Sequence, residues 1–138
     1  MGDIDPAGRV LACGTFDLLH PGHISFLQQA AELADELWVV VARDENVESI
    51  KGRPPSQLED DRLAAVRSLD SVGHAQLGLP GRDFLRVVEQ IAPSVIALGY
   101  DQRAPKGLAE AFPHCRIVTL DAHKPEQYKT SLLRQERP

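Results

Sequence analysis

The chain of 138 residues is 43% apolar and 25% charged, with a formal net charge of −5 at pH 7. This is the composition of one globular domain, and no apolar run approaches the roughly 18–20 residues that a membrane-spanning helix needs. The acidic balance argues against sequence-independent binding to DNA or RNA, whose affinity comes mainly from cations meeting phosphates.

The N-terminal "MGDIDPAGR" is acidic and has no apolar stretch of the secretory kind, so residues 1–9 read as a flexible tail ahead of a domain over 10–138. "VLAC" at 10–13 reads as the first strand. From Gly22 to Leu33, Ile24, Leu27, Ala31 and Leu33 recur at helical spacing, and "ELWVVVA" at 36–42, rich in β-branched residues, predicts the second strand. "RDENVESIKGRPP" follows as a loop. Ser56 and Glu59 form an S-x-x-E capping box that starts a helix over Leu58–Leu69, in which the carboxylates of "LEDDRL" read as an ordinary solvated face. "HAQLG" at 74–78, a helix over Arg82–Ile91, "SVIALG" at 94–99, a short helix over Leu108–Phe112 and "RIVTL" at 116–120 complete the alternation, with a last helix from about Thr130. Strands alternating with helices imply right-handed βαβ crossovers, hence an α/β, single doubly wound (Rossmann-like) domain with a five-stranded parallel sheet.

Cys13 and Cys115, far apart and without metal-like spacing, read as small buried hydrophobes of a reduced, cytoplasmic protein. Ligands of such sheets bind outside the carboxyl ends of the strands. All four lysines, Lys51, Lys106, Lys124 and Lys129, lie in loops leaving that edge, as do Arg43 and Arg53. An acidic protein with cations gathered on one rim points to a phosphorylated ligand. At the turn "GTFDLLHPGH", Pro21 suits a first helical turn, Gly22 admits a ligand to the backbone, and amides at a helix start attract anions. His20 and His23 flank that turn. Three readings of the pair stay open: a grip on polyphosphate oxygens, a metal site that His74, His114 and His123 are not placed to complete, and plain helix-start chemistry. Walker, dinucleotide-binding and serine-hydrolase motifs are absent from the sequence, which argues against hydride transfer and acyl-enzyme chemistry.

"GTFDLLHPGH" resembles the G-T-F-D-x-x-H-x-G-H signature of the nucleotidylyltransferase superfamily, in its cytidylyltransferase-like branch. "VVVARDENVESIKGRPP", "EDDRLAAVRSL", "VIALGYDQ" and "YKTSLL" follow in an order similar to archaeal-type FAD synthases, which are FMN adenylyltransferases. Glycerol-3-phosphate cytidylyltransferases share the layout less closely. The resemblance implies transfer of AMP from ATP to FMN with release of pyrophosphate, by direct in-line displacement, with a divalent cation, most simply Mg²⁺. By the same resemblance His20, His23 and Lys51 are the catalytic residues. Thr15, Phe16, His20, Pro21, Gly22, His23, Asp101 and Tyr128 are then nucleotide contacts, and Thr130 and Ser131 a further phosphate site. No metal ligands are assigned.

Phe16, Trp38 and Tyr100 are the aromatic residues available to a flavin ring, or to the core. The chain departs from the cytidylyltransferases at "HKPEQYKTS", which lacks their leading arginine and leaves Lys124 or Lys129 to supply its charge. The resemblance implies ATP and FMN as substrates, without nucleic acid or membrane, and a homodimer. CTP with glycerol 3-phosphate is the alternative pair, and a non-catalytic nucleotide-binding regulator the alternative class.

Overall fold

Parallel strands buried on both faces need continuous apolar sequence, and the strands of this chain supply it. The computed structural model describes residues 8–100 and 102–120. Five strands, β1 (Arg9–Gly14), β2 (Glu36–Val41), β3 (His74–Leu77), β4 (Val95–Leu98) and β5 (Arg116–Thr119), form one parallel sheet in the order β3-β2-β1-β4-β5. Each falls within a residue or two of its expected bounds, with β1 opening one residue earlier, at Arg9. The helices are α1 (Pro21–Ala31), α2 (Asp44–Lys51), α3 (Glu59–Arg67), α4 (Phe84–Ile91) and α5 (Leu108–Ala111), with a short 3₁₀ turn at Pro80–Arg82. The expected helix from Thr130 lies outside the described residues.

The pleat divides the core. Val10, Ala12, Val39, Val41 and Ala75 pack under Leu27 and Ala30 of α1 and Leu63 and Val66 of α3. Leu11, Val40, Ile96 and Leu98 face Val87, Val88 and Ile91 of α4 and Leu108 of α5. Helices thus cover both faces, and the chain winds outward from β1 through β2 to β3 before crossing back to β4 and β5. Strand order reverses between β1 and β4, so a crevice opens there at the carboxyl edge.

Two local expectations are corrected. Asp44–Lys51 is helical, not loop: Asp44 and Glu45 complement the dipole at its start and Lys51 at its end, and Gly52 ends it at φ +80°. Its apolar face is a single buried residue, Val47, too little for periodicity to register. The Ser56–Glu59 capping box does not form, because α3 starts at Glu59 with Leu58 as its N-cap and no side-chain cap from Ser56. The Glu59 carboxylate instead accepts the Asp44 N–H (2.8 Å), and the Asp44 carboxylate accepts the Glu59 N–H (3.2 Å). The two helix starts cap each other.

Ile96 on β4 is 1% exposed at the centre of the second core. Ile96→Ala should destabilise the protein by about 2–5 kcal/mol in urea unfolding, and a cost below about 1 kcal/mol would contradict this packing.

Candidate active site

At the carboxyl edge β1 runs out through Gly14 into Thr15, Phe16 and Asp17, a segment whose Phe16 and Leu18 take positive φ angles of 54° and 56°. Gly14 is required by its neighbour: a Cβ there would lie 2.9 Å from the Phe16 ring. The segment is tied down from outside. Asp17 accepts the N–H groups of Ser56 (2.7 Å) and Gln57 (2.9 Å), while Gln57 Oε1 accepts the Leu18 N–H at 2.9 Å. Burial pushes the Asp17 carboxyl up, but those two amides, with the charges of Arg62 and Lys51, outweigh it and hold the group below its ordinary range.

Beneath this loop Arg62 is fully buried. Its guanidinium donates to the Thr15 carbonyl (2.8 Å), the Gln57 carbonyl (3.0 Å) and Asp44 Oδ1 (2.6 Å). "LEDDRL" is therefore not simply a solvated face, since Glu59 and Arg62 turn inward. Arg43 is also committed, donating to the Gly78 carbonyl at 2.6 Å and lying 3.8 Å from Glu59, so it is not a free cation of the rim.

His20 is the N-cap of α1 and Pro21 its first residue. Gly22 N–H donates to His20 Nδ1 (3.0 Å), and His20 N–H donates to His23 Nδ1 (3.3 Å). The expectation of open amides at this turn is thereby corrected, because two of them are held by the imidazoles. A ring nitrogen that accepts an N–H carries no proton, so both imidazoles carry theirs on Nε2. The rings stack with centroids 3.7 Å apart, and Phe16 meets His23 edge-on at 5.6 Å. Burial, then the neighbouring His20 and Lys51 charges, push the His23 pKa below its usual 6.5, against the opposing pull of Asp17.

A cavity of about 650 Å³ opens here, lined by Thr15, Phe16, Asp17, His20, Gly22, His23, Lys51, Tyr100 and Gln102, among others. A second cavity of about 300 Å³, with Leu79, Phe84, Val87 and Ile50 in its walls, meets it at Cys13, Gly14, Thr15 and Gln102. Of the expected site residues, Thr15, Phe16, His20, Gly22, His23 and Lys51 thus surround one space, while Pro21, the first residue of α1, does not line it. Asp101, Tyr128, Thr130 and Ser131, like Lys124 and Lys129, lie outside the described residues. Trp38 is not at the cavity: it stacks on His74 (4.1 Å) under the Arg9 guanidinium (4.6 Å), toward the amino ends of the strands.

Cys13 and Cys115 are free, and burial raises both thiols, Cys13 to about 12, so neither is a ready thiolate. Among the described residues no group of three His, Cys, Asp or Glu side chains is placed to hold a metal ion. Both Asp17 oxygens already accept amides.

Sequence reasoning passed over Asp17, Asp44, Arg62 and Gln102. The first lay inside the long motif, and the next two looked like surface charges. Only the packing of α2 against α3 turns those two inward.

A cytidylyltransferase-like family model matches residues 11–136. Curated FAD synthases of Pyrococcus abyssi and Methanosarcina barkeri are 48% and 54% identical over 94 and 95 residues, or 68% and 69% of this chain and 64% and 66% of theirs. The chain thus spans just under two thirds of the length of these relatives. A solved structure described as a lipopolysaccharide core biosynthesis protein from Thermoplasma volcanium is 37% identical, covering 85% of this chain and 98% of that one at a TM-score of 0.78. The pantothenate synthetase of Thermus thermophilus, 13% identical, covers 91% of this chain and 60% of that one at a TM-score of 0.63 and shows the fold alone.

Arg62→Ala leaves Asp44 and two carbonyls facing an empty space and should cost about 3–5 kcal/mol in urea unfolding. A loss below about 1 kcal/mol would contradict the buried clasp. His23 predicts a pH effect of definite sign. Its folded pKa is lowered, so below pH 6.5 the unfolded chain binds the proton more readily, and stability falls as pH drops through 6.5 toward the lowered value. His23→Gln should remove that part of the slope between pH 7.5 and 5.5, and an unchanged slope would contradict the assignment.

Proposed function

The chain belongs to the cytidylyltransferase-like family, and on that footing we propose that it moves AMP from ATP onto the phosphate of FMN, forming FAD and releasing pyrophosphate. The observation that carries this reading is the stacked pair His20 and His23. With each Nδ1 engaged by a backbone amide, each ring has a single N–H left, on Nε2, to offer a ligand in the larger cavity. Identity to curated FAD synthases supports the choice of substrates.

The larger cavity takes the nucleotide, its triphosphate lying along His20, Gly22, His23 and Lys51. The smaller, more apolar cavity, bounded by Leu79, Phe84 and Val87, takes the flat flavin ring, and none of the candidates Phe16, Trp38 and Tyr100 lines it. The two meet at Gly14 and Thr15, where the reacting phosphates come together. An FMN phosphate oxygen attacks the α-phosphorus as the bond to the β-phosphate oxygen breaks in line, and pyrophosphate leaves. A phosphate dianion needs no general base, so the work is positioning and charge stabilisation. The Nε2–H donors and the Lys51 ammonium stabilise the charge building on the non-bridging and leaving oxygens, each such donor contributing about 3 kcal/mol. A divalent cation, most simply Mg²⁺, would supply charge neutralisation of the triphosphate, beside the His20, His23 and Lys51 side chains.

Asp101 and Tyr128 as nucleotide contacts, and Thr130 and Ser131 as a phosphate site, belong to the same reading through motif resemblance. So does a homodimer, while a cytoplasmic location belongs to it through the spacing of Cys13 and Cys115. No helix among the described residues is long and apolar enough to cross a membrane.

His23→Ala should lower kcat by about 10²–10³-fold with unfolding behaviour otherwise retained, and near-normal turnover would remove the ring from the mechanism. Pyrophosphate release from ATP or CTP, each with FMN or glycerol 3-phosphate, tests the substrates. Release with ATP and FMN is expected. Release only with CTP and glycerol 3-phosphate would overturn the flavin assignment, and release in no combination would favour a nucleotide-binding regulator.

A further inference from the structure

The β1–β4 ladder pairs Val10 with Val95, Leu11 with Ile96 and Ala12 with Ala97, and goes no further. Beyond it the two strands part, and the crevice between them becomes the floor of the site. One side chain spans the gap. Gln102 Oε1 accepts the Gly99 N–H at 2.8 Å, and Gln102 Nε2 donates to the Cys13 carbonyl at 3.0 Å. Its own N–H donates to the Gly99 carbonyl at 3.0 Å, so a tight turn after β4 presents the side chain. The carboxamide stands where the next rung of the ladder would be.

Its position relative to the open space is unusual. Gln102 and Cys13 line the cavity that holds His20 and His23, the apolar cavity beside Leu79 and Phe84, and a third space of about 200 Å³ toward Ile96 and Pro105. Gln102 is itself exposed and belongs to neither core cluster. Its removal therefore changes the shape of the site, with little apolar burial at stake.

We propose that Gln102 is a specificity-determining residue: its carboxamide pins the ends of β1 and β4 at a fixed separation and forms the partition between the donor and acceptor cavities. This rests on the reading of the two cavities given above. A carboxamide suits the task because it donates and accepts at once, as a bridge from a carbonyl to an N–H requires. A methionine of similar length does neither. Without the bridge, the Cys13 carbonyl and Gly99 N–H face the ligands unpartnered, and the acceptor gains room to slide away from the α-phosphate. The nucleotide, held by the histidines and Lys51, is affected much less.

Gln102→Met keeps most of the bulk and loses both hydrogen bonds, while Gln102→Ala loses both features. Amide exchange at Gly99 in the ligand-free full-length protein reads the bridge without any substrate, and both variants should exchange there at least about tenfold faster than wild type. Affinities for ATP and FMN, measured separately by calorimetry and flavin fluorescence, read the partition. FMN binding should weaken by about tenfold or more, with a matching rise in its KM, while ATP affinity stays within about threefold.

Equal Gly99 exchange in all three proteins overturns the bridge. Parallel loss of ATP and FMN affinity, or no loss of either, overturns the specificity role. A wild-type protein that binds ATP but not FMN overturns the flavin reading instead, and the same split is then measured with glycerol 3-phosphate. Binding of no nucleotide at all overturns both.

Discussion

A guanidinium taken wholly out of water is tolerated only where its hydrogen bonds replace those it gave up, since the desolvation penalty is several kcal/mol per ion. Arg62 meets that condition with Asp44 and the carbonyls of Thr15 and Gln57. Each partner lies on a different piece of the site: the loop after β1, the start of α2 and the approach to α3. The reciprocal caps between Asp44 and Glu59 fix the two helix starts against each other, and Asp17 closes the frame through Ser56 and Gln57. Lys51, at the far end of α2, owes its place at the cavity to this frame. The value of the buried pair lies in the arrangement it imposes more than in net stability, because an apolar replacement of matching shape could be as stable and would join none of these segments.

In the proposed reaction each histidine serves structure and chemistry together. Their Nδ1 atoms satisfy amides at the start of α1, which selects the tautomer with its proton on Nε2 and orients each ring. Stacking at 3.7 Å and the edge of Phe16 limit ring rotation. Burial and nearby positive charge keep His23 neutral at ordinary pH, the state in which its cap bond exists. Preorganisation of this kind suits a displacement that needs aligned donors and no base.

The parting of β1 from β4 at the point where strand order reverses gives the sheet a crevice with two compartments, one lined in part by the two imidazoles and Lys51, the other more apolar. The same topology leaves strand ends that a single side chain from the turn after β4 is long enough to bridge. The proposed binding and partition thus both rest on one feature of the winding.

Periodicity and β-branched content located the strands and α1, α3 and α4, because those elements bury enough apolar surface to mark their period. The helix α2 escaped notice because it buries one residue, Val47, and depends on its neighbours for the rest. The motif around His20 and His23 was legible since it is contiguous. Trp38, open in the sequence between a flavin contact and the core, packs against the core and stacks on His74, because composition shows that an aromatic residue exists and not which end of a strand it faces. The chain by itself determined the order of elements, the parallel sheet and the turn that carries the imidazoles, all governed by local spacing. Tertiary structure alone decided that Arg62 is interior, that Asp44 and Glu59 cap each other's helices and that Gln102 joins two strands, because those bonds link residues from 5 to 89 positions apart whose proximity only the completed packing creates.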